Sequence, residues 1–217
     1  MQRRGGEVDT QEQNRSRDRR TTMRADDAER EMDDYEEALD EEFARCVYLM
    51  QDAEREFPPG GRLYTLQVAL LSGCGWRYPL RGEDSVVRVI EMRGEQTLRD
   101  LHWAIYSAFD RDDQHLYLFE FGRKPGDRSA VQYVLPGDEL DPLEGLFGQR
   151  PRPGGRVDKT TLDALNLRPR DYFFYWFDFG DDWWHRIKVL KVSENAPGGT
   201  YPRLIKVVGK SPPQYGP

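Results

Sequence analysis

The alternation of apolar and polar residues predicts a series of strands and one long helix after residue 61. Residues 64–70 alternate apolar with polar side chains, which is the period of a half-buried strand. Thr97 begins a helix with an apolar residue at every third or fourth position, and Asp100 completes a capping box with it. The same reasoning predicts further strands at 86–92, 115–121, 131–135 and 204–208, and a short helix at 161–165.

The order of these elements predicts the fold class. A strand, strand, helix, strand sequence places one principal helix across a mainly antiparallel sheet. We therefore expect an α+β domain over residues 61–217, of the ubiquitin-like or α–β roll type. Residues 122–159 contain many Pro and Gly residues and predict a long loop around the short strand at 131–135.

A predicted hairpin contains the most unusual stretch of the chain, Asp-Phe-Gly-Asp-Asp-Trp-Trp-His at residues 178–185. Residues 171–177 before it are almost wholly aromatic, and residues 185–192 after it alternate aliphatic with basic side chains, so both segments predict strands. The Gly-Asp-Asp corner between them predicts a tight turn with Gly180 at a positive φ.

The aromatic strand has two interpretations. Period-two alternation places its rings on two faces. A central strand covered on both sides accounts for this pattern. Alternatively, one face forms a surface with Trp183 and Trp184 for a peptide or for stacked bases, which the neighbouring Arg186 and Lys188 would favour. The rings predicted on one face are Tyr172, Phe174 and Trp176, and those on the other are Phe173, Tyr175, Phe177 and Phe179.

The net charge of −7 is unevenly distributed between the N-terminal region and the domain. Residues 1–24 are rich in Arg, carry a net charge of +3, and predict disorder because they have little apolar surface to bury. Residues 25–57 carry −11 and predict an acidic amphipathic helix, which either packs on the domain or forms a coiled coil or docks on a partner. Its apolar stripe is Met32, Tyr35, Leu39, Phe43, Cys46, Met50, Ala53 and Phe57.

The remaining composition excludes several classes of protein. No apolar run approaches the length of a membrane span and the N-terminus is too charged for a signal peptide, so we expect a cytoplasmic protein without a membrane partner. Cys46 and Cys74 lack the spacing of a thiolate metal site. Residues 58–217 carry only +1, so the domain lacks the broad basic surface of a general nucleic-acid binder.

Three histidines and a group of carboxylates are the candidate chemical residues. Convergence of imidazoles and carboxylates would suit a divalent metal such as zinc, manganese or iron. The structural alternative is that the histidines are core or turn residues and that Asp178 and Asp181 bond backbone amides of their own turn, with Asp182 more exposed. The residues of this metal hypothesis are His102, His115, His185, Asp178, Asp181 and Asp182.

Three blocks of the sequence resemble the plasmid ORF-three-like family, first noted on an Ri plasmid. They are residues 86–121, including Asp-Asp-Gln-His-Leu at 112–116, then the hairpin run 175–189, and a C-terminal segment that includes 209–216. The resemblance covers residues 62–217 and implies a shared fold and a mobile-element context. Some members carry a resolvase label, but the serines and tyrosines here lack the surrounding clusters of a recombinase, and no phosphate-binding Gly-rich motif is present.

These observations favour an interaction module of a mobile element or its bacterial host over an enzyme. We expect a protein partner, with nucleic acid as a further possibility, and no cofactor. The alternative is a metal-dependent enzyme that holds a divalent metal through His102, His115, His185 and Asp181. The expected binding residues are Asp178, Asp181, Asp182, Trp183, Trp184, His185 and Arg186.

Overall fold

The computed structural model describes residues 53–136 and 152–215, all within one compact unit of the chain, Tyr48–Pro217. The predicted disordered segment 1–24 and most of the predicted acidic helix 25–57 lie outside the described residues. The helix prediction is wrong for the last three of its residues, because Arg55–Phe57 form a strand, β1.

One long sheet dominates the structure. Its strands lie in the order β11-β4-β2-β9-β8-β5-β6-β7, and β3 extends β2. All of these neighbours are antiparallel except β6 and β7, while β1 and β10 form a separate antiparallel pair. The elements after β1 are β2 Leu63–Gly73, β3 Trp76–Arg77, β4 Val87–Arg93, α1 Leu98–Ala108, β5 Tyr117–Phe121, β6 Val131–Val134, β7 Arg152–Arg156, β8 Tyr172–Phe177, β9 Trp183–Ser193, β10 Gly199–Tyr201 and β11 Arg203–Val208.

The prediction of an α+β fold with a mainly antiparallel sheet is confirmed, and the narrower assignment to a ubiquitin-like roll stays a prediction. The short helix predicted at 161–165 is wrong. Those residues form consecutive turns, in which the Leu165 amide bonds the Leu162 carbonyl and the Thr161 hydroxyl accepts from the Ala164 amide. The hydroxyl thus satisfies an amide locally, in competition with helix formation.

Helix α1 begins where the sequence predicted it. The Thr97 hydroxyl accepts from the Asp100 amide, and the Asp100 carboxylate accepts from the Thr97 amide, so the predicted capping box is formed. The helix packs on what we call the inner face of the sheet, where the rings of Tyr175 and Phe177 lie against His102 and Tyr106 of the helix.

The opposite, outer face of the sheet carries a second aromatic cluster around Trp176 and Trp184, whose rings stack at 4.8 Å. Strand β8 therefore lies between neighbouring strands β5 and β9, and its side chains after Tyr172 are covered on both faces, as the central-strand interpretation predicted. Phe179 is an exception to the predicted alternation. Its ring contacts Trp176 at 4.3 Å on the outer face, because the chain has already entered the turn.

Arg88 joins the end of the helix to two strands. Its side chain is buried, and its guanidinium donates to the carbonyls of Ala108 at the end of α1 and of Val208 and Gly209 after β11. A cation at a helix C-terminus interacts favourably with the helix dipole and with carbonyls that lack a helical partner. The ring of Phe109 lies 4.9 Å from the guanidinium carbon.

Candidate functional site

The turn between β8 and β9 is organised by aspartates. Asp178 is buried, and its carboxylate accepts from the backbone amides of Gly180 and Asp181 at 3.2 Å each. Asp178 and Asp182 adopt positive φ values of 53° and 58°, a region that aspartate tolerates better than most residues. The prediction of a positive φ at Gly180 is therefore wrong.

Removing the Asp178 carboxylate should destabilise the protein, while removing that of Asp182 should not. We expect Asp178→Ala to lower the free energy of unfolding by about 1 to 3 kcal/mol, because two amides lose their acceptor in a buried turn. Asp182 is exposed, and its carboxylate accepts only the indole N–H of Trp184 among the hydrogen bonds described, so Asp182→Ala should cost less than about 1 kcal/mol. Chemical denaturation of both variants checks this, and equal midpoints would contradict it.

The segment 209–215, here called the C-terminal strap, lies beside this turn. Ser211 donates to the Phe109 carbonyl at 2.6 Å. The Gln214 side chain accepts from the amides of Asp112 and Asp113 and donates to the Asp113 carbonyl. The strap is thus fixed to the loop after α1 by side-chain hydrogen bonds.

His115 and Tyr215 connect the strap to the hairpin. The Tyr215 hydroxyl donates to the Asp113 carboxylate at 2.7 Å, and it lies 3.0 Å from Nε2 of His115. The same His115 nitrogen lies 3.5 Å from a carboxylate oxygen of Asp178. The hydrogen bond to Asp113 is the main reason that the pKa of Tyr215 is raised to about 12. Three segments far apart in the chain therefore meet at one end of the sheet.

Cys74 adds a fourth contact at this end. Its amide donates to the Asp181 carbonyl at 2.7 Å, and its Sγ lies 3.2 Å from the Gln214 carbonyl. Cys74 has a φ of 48° and follows Gly73, the last residue of β2. A side chain at Gly73 would overlap the Trp183 ring, so the glycine allows the indole to pack directly on the β2 backbone.

The two tryptophans of the hairpin are buried instead of exposed. Trp183 is 1% exposed on the inner face, where the guanidinium carbon of Arg111 lies 3.8 Å from its ring centroid. Trp184 is 7% exposed within the outer aromatic cluster and donates to Asp182 at 2.7 Å. The hypothesis that these indoles form a surface for a peptide or stacked bases is therefore not supported, because neither ring is accessible.

Two of the three histidines are buried and neutral. Burial lowers the pKa of His102 to about 3, and its Nδ1 shares a 2.7 Å hydrogen bond with the Tyr175 hydroxyl. Burial and then the nearby charge of Arg111 lower the pKa of His185 well below its usual value. Backbone groups of Trp183 and Tyr175 oppose this shift, but neither ring nitrogen of His185 makes a hydrogen bond of normal geometry.

Apart from the pair His115 and Asp178, the histidines and aspartates of the metal hypothesis do not converge. His102 stacks on Tyr117 inside the core, His185 packs against Phe109, and His115 lies at the strap. In residues 53–136 and 152–215 no three His, Cys, Asp or Glu side chains form a group that could hold a metal ion. The Asp178 carboxylate instead accepts from two backbone amides of the turn, as the structural alternative predicted. The same prediction for the Asp181 carboxylate is not supported, because the hydrogen bonds described for Asp181 are made by its backbone amide and carbonyl.

Arg186 belongs to a basic groove on the outer face. Residues directly opposite one another in adjacent strands share a face. The register aligns Lys188 with Gln67, Val89 and Lys206 in one row across β9, β2, β4 and β11. We call this surface the outer trough. The adjacent rows are Arg186, Ala69, Val87 and Val208 on one side, and Lys191, Thr65, Glu91 and Arg203 on the other.

The outer trough has basic walls and a partly apolar interior. It encloses about 470 Å³, and its lining includes Leu80, Leu190 and Ile205, which are 36%, 42% and 49% exposed. The basic residues of the three rows are Arg186, Lys188, Lys191, Arg203 and Lys206, and only Glu91 opposes them, in an ion pair with Arg203 at 3.4 Å.

Sequence reasoning found some of the residues at the strap and missed others. His115 and the aspartates of the hairpin were identified, and the resemblance drew attention to the segment that contains Gln214 and Tyr215. Arg111 was missed, because a single arginine in a polar loop gives no sign that it will be buried. The outer trough was also missed, because its walls depend on the pairing of β2 with β9 and of β4 with β11, whose partner residues lie more than a hundred positions apart in the chain.

The fold and the site define an α+β protein with one long, mainly antiparallel sheet. Its C-terminal strap contacts the loop after α1 and, through His115, the hairpin between β8 and β9. The chain belongs to the plasmid pRiA4b ORF-3-like protein family, whose model matches residues 80–215. The resemblance seen in the sequence is thereby confirmed, and all three segments that meet at the strap lie within this match.

Two further proteins are similar to this chain. The uncharacterised protein y4hQ of Sinorhizobium fredii is 29% identical over 132 residues, which are 61% of this chain and 59% of that protein. A crystal structure of a protein of unknown function from Methanosarcina mazei matches 70% of this chain and 72% of its own, with 22% identity and a TM-score of 0.49. This chain thus spans less than two thirds of the curated relative it matches.

A membrane-crossing helix would need both length and a strongly apolar composition. No helix within the part of the chain that the structure describes has both.

Proposed function

We propose that the protein is an interaction module whose outer trough binds an acidic amphipathic segment of a partner protein. The observation that carries this proposal is the combination of basic walls with exposed aliphatic side chains. Leu190 and Ile205 are large apolar residues left substantially exposed on a sheet face. Such a patch, edged by polar residues, is typical of a binding surface.

The positive charge of the walls favours a partner segment that carries acidic side chains. Lys188 and Lys206 lie at opposite ends of one row, separated by Gln67 and Val89. A segment with one apolar and one acidic face can bury its apolar face on the interior while its carboxylates reach both walls. This arrangement follows the general mode in which an amphipathic helix occupies a groove, and complementary charge favours both its encounter rate and its orientation.

A protein partner accounts for the trough better than nucleic acid does. Single-stranded nucleic acid is bound by basic grooves that also offer aromatic rings for base stacking. The residues that line the cavity of the outer trough include aliphatic and polar side chains but no aromatic ring, and Tyr172, which lies opposite Lys188 in the same row, is not among them. The tryptophans of the hairpin, which could have offered such rings, are buried.

The hairpin supports the trough instead of contacting the partner through its indoles. Strand β9 supplies both the hairpin and one basic wall, so the packing of Trp183 and Trp184 fixes the position of that wall. Of the binding residues expected from the sequence, Arg186 belongs to the proposed surface, whereas Asp178 and His185 are buried beside it.

A binding measurement with model peptides tests the proposal. Fluorescence anisotropy would compare a 20-residue amphipathic helix with Leu on one face and Glu on the other against its Lys counterpart. We expect the Glu peptide to bind and the Lys peptide not to bind. The double variant Lys188→Glu, Lys206→Glu should weaken binding by about tenfold or more, because both walls then repel the peptide.

Two controls make the result specific. Lys159→Glu changes an equally basic but remote residue, whose side chain is 73% exposed near the opposite edge of the sheet, and it should bind like the unchanged protein. Leu190→Asp should also abolish binding, because it places a charge among the aliphatic contacts. Binding of a 20-nucleotide single strand in place of the Glu peptide, with the same loss in the double variant, would contradict the proposal.

A further inference from the structure

Arg111 is a buried arginine that makes few hydrogen bonds. Its side chain is only 6% exposed, yet no carboxylate of the described residues forms an ion pair with it. One nitrogen, Nη1, donates to the Pro212 carbonyl of the C-terminal strap at 3.2 Å. Nε and Nη2 are buried without a hydrogen-bond partner.

The neighbouring side chains leave further buried polar atoms without a hydrogen-bond partner. The indole N–H of Trp183, whose ring faces the guanidinium, is also buried without a partner. The charge of Arg111 contributes to the lowered pKa of His185. The neutral imidazole of His185 has one donor and one acceptor nitrogen, and neither makes a hydrogen bond of normal geometry. Burial of polar groups without partners is costly, and most such groups in folded proteins are paired.

Arg88 is a second buried arginine, with a structural role, and its hydrogen bonds can be compared with those of Arg111. Its guanidinium lies close to an aromatic ring, as that of Arg111 does, but it donates to four backbone carbonyls. Arg111 keeps only one carbonyl, and that carbonyl belongs to the C-terminal strap. The contrast indicates that the remaining donors of Arg111 serve a ligand that accepts hydrogen bonds.

We propose that Arg111, with the indole N–H of Trp183, forms an oxyanion-binding site beneath the C-terminal strap. The ligand carries a carboxylate or a phosphate group, since both match the planar fork of a guanidinium. Its oxygens take the donors that are unpaired and replace the Pro212 carbonyl at Nη1. This site lies on the inner face and is independent of the outer trough.

The strap controls access to this site. It covers Arg111 through Pro212, and it is held in place mainly by polar contacts of Gln214 and Tyr215 with Asp113 and His115. Anion binding and strap closure therefore compete for the same guanidinium. Weakening the contacts of the strap should strengthen anion binding, which a purely structural role of Arg111 would not produce.

Thermal denaturation of the full chain in phosphate, in acetate and in chloride at equal ionic strength tests the site. We expect saturable stabilisation by phosphate or acetate beyond that of chloride. Tyr215→Phe removes the hydroxyl that contacts Asp113 and His115. It should raise the apparent anion affinity about threefold or more, since a single hydrogen bond contributes a factor of about three to ten. Tyr172→Phe, a substitution at an exposed tyrosine remote from the strap, should leave the affinity unchanged.

The two anions distinguish the source of the ligand. A response to phosphate alone indicates a phosphate group, and a response to acetate as well indicates a carboxylate. Arg111→Met should abolish the response, and Arg111→Lys, which keeps the charge but loses the fork, should reduce it. The proposal is overturned if neither the unchanged protein nor Tyr215→Phe responds more to these anions than to chloride, or if a folded Arg111→Met variant responds like the unchanged protein.

Discussion

Substitution of Arg88 by methionine should lower the free energy of unfolding by about 3 to 5 kcal/mol, although the two side chains have similar length. Methionine can fill much of the buried space, but it cannot donate to the carbonyls of Ala108, Val208 and Gly209. These acceptors lie at the end of α1 and at the end of β11, and Arg88 donates to all three of them. Each buried acceptor left unpaired costs about 1 to 3 kcal/mol.

Urea denaturation of Arg88→Met and Arg88→Lys measures this effect. The lysine variant keeps the charge at the helix C-terminus but offers a single ammonium group, so it should recover only part of the loss. Arg128→Met, at an exposed position, should change the free energy of unfolding by less than about 0.5 kcal/mol. A loss of under 1 kcal/mol in Arg88→Met would show that water satisfies the carbonyls.

Lowering the pH from 6.5 to 5 should destabilise the protein steeply. In the native state the pKa of His102 is about 3 and that of His185 is well below its usual value, so neither binds a proton in this range. In the unfolded chain both histidines titrate near their model value of 6.5. Unfolding then takes up protons as the pH falls, and each contributes about 1.4 kcal/mol per pH unit.

The sign and the window of this effect follow from the direction of the shifts. Stability is full above pH 6.5 and is lost progressively as the pH falls toward the native pKa values. Glu120 acts in the opposite sense, because burial raises its pKa and favours the protonated native state at lower pH. Because two histidines lower the stability at acidic pH and one carboxyl group raises it, the free energy of unfolding decreases on balance as the pH falls.

Free energies of unfolding from urea titrations at pH 7.5, 6.5, 5.5 and 5.0 check the prediction. His102→Gln should reduce the slope by about one proton, because glutamine can still hydrogen-bond to Tyr175 but does not titrate. Stability that stays level from pH 7 to 5 would show that the imidazoles are accessible to solvent.

The sequence predicted the elements whose signals are local. The capping box at Thr97, the aromatic strand β8 and the hairpin after it all depend on neighbouring residues, and the structure contains each of them. The positive φ of the turn was predicted at Gly180, since glycine adopts a positive φ most easily. The structure places Asp178 and Asp182 there, because their side chains bond groups of the same turn.

The features that the sequence did not predict depend on contacts between distant segments. The outer trough requires the register of four strands, and the alternation along any one strand does not say which strand lies beside it. The burial of Arg88 and Arg111 depends on carbonyls and rings from β11, the strap and β9. The three histidines could be identified, but their separation in space could not.

The pairing of β2 with β9 also has a consequence for the order of folding. Arg62, just before β2, bonds Glu194, which lies 132 positions later in the chain. During synthesis β2 can pair with β4 early, but its second neighbour arrives only after most of the chain has been made. Such non-local pairing slows folding and leaves a strand edge open in the meantime. Completion of the sheet must therefore wait for β9 and then for β11, and the strap, which follows β11, can close only afterwards.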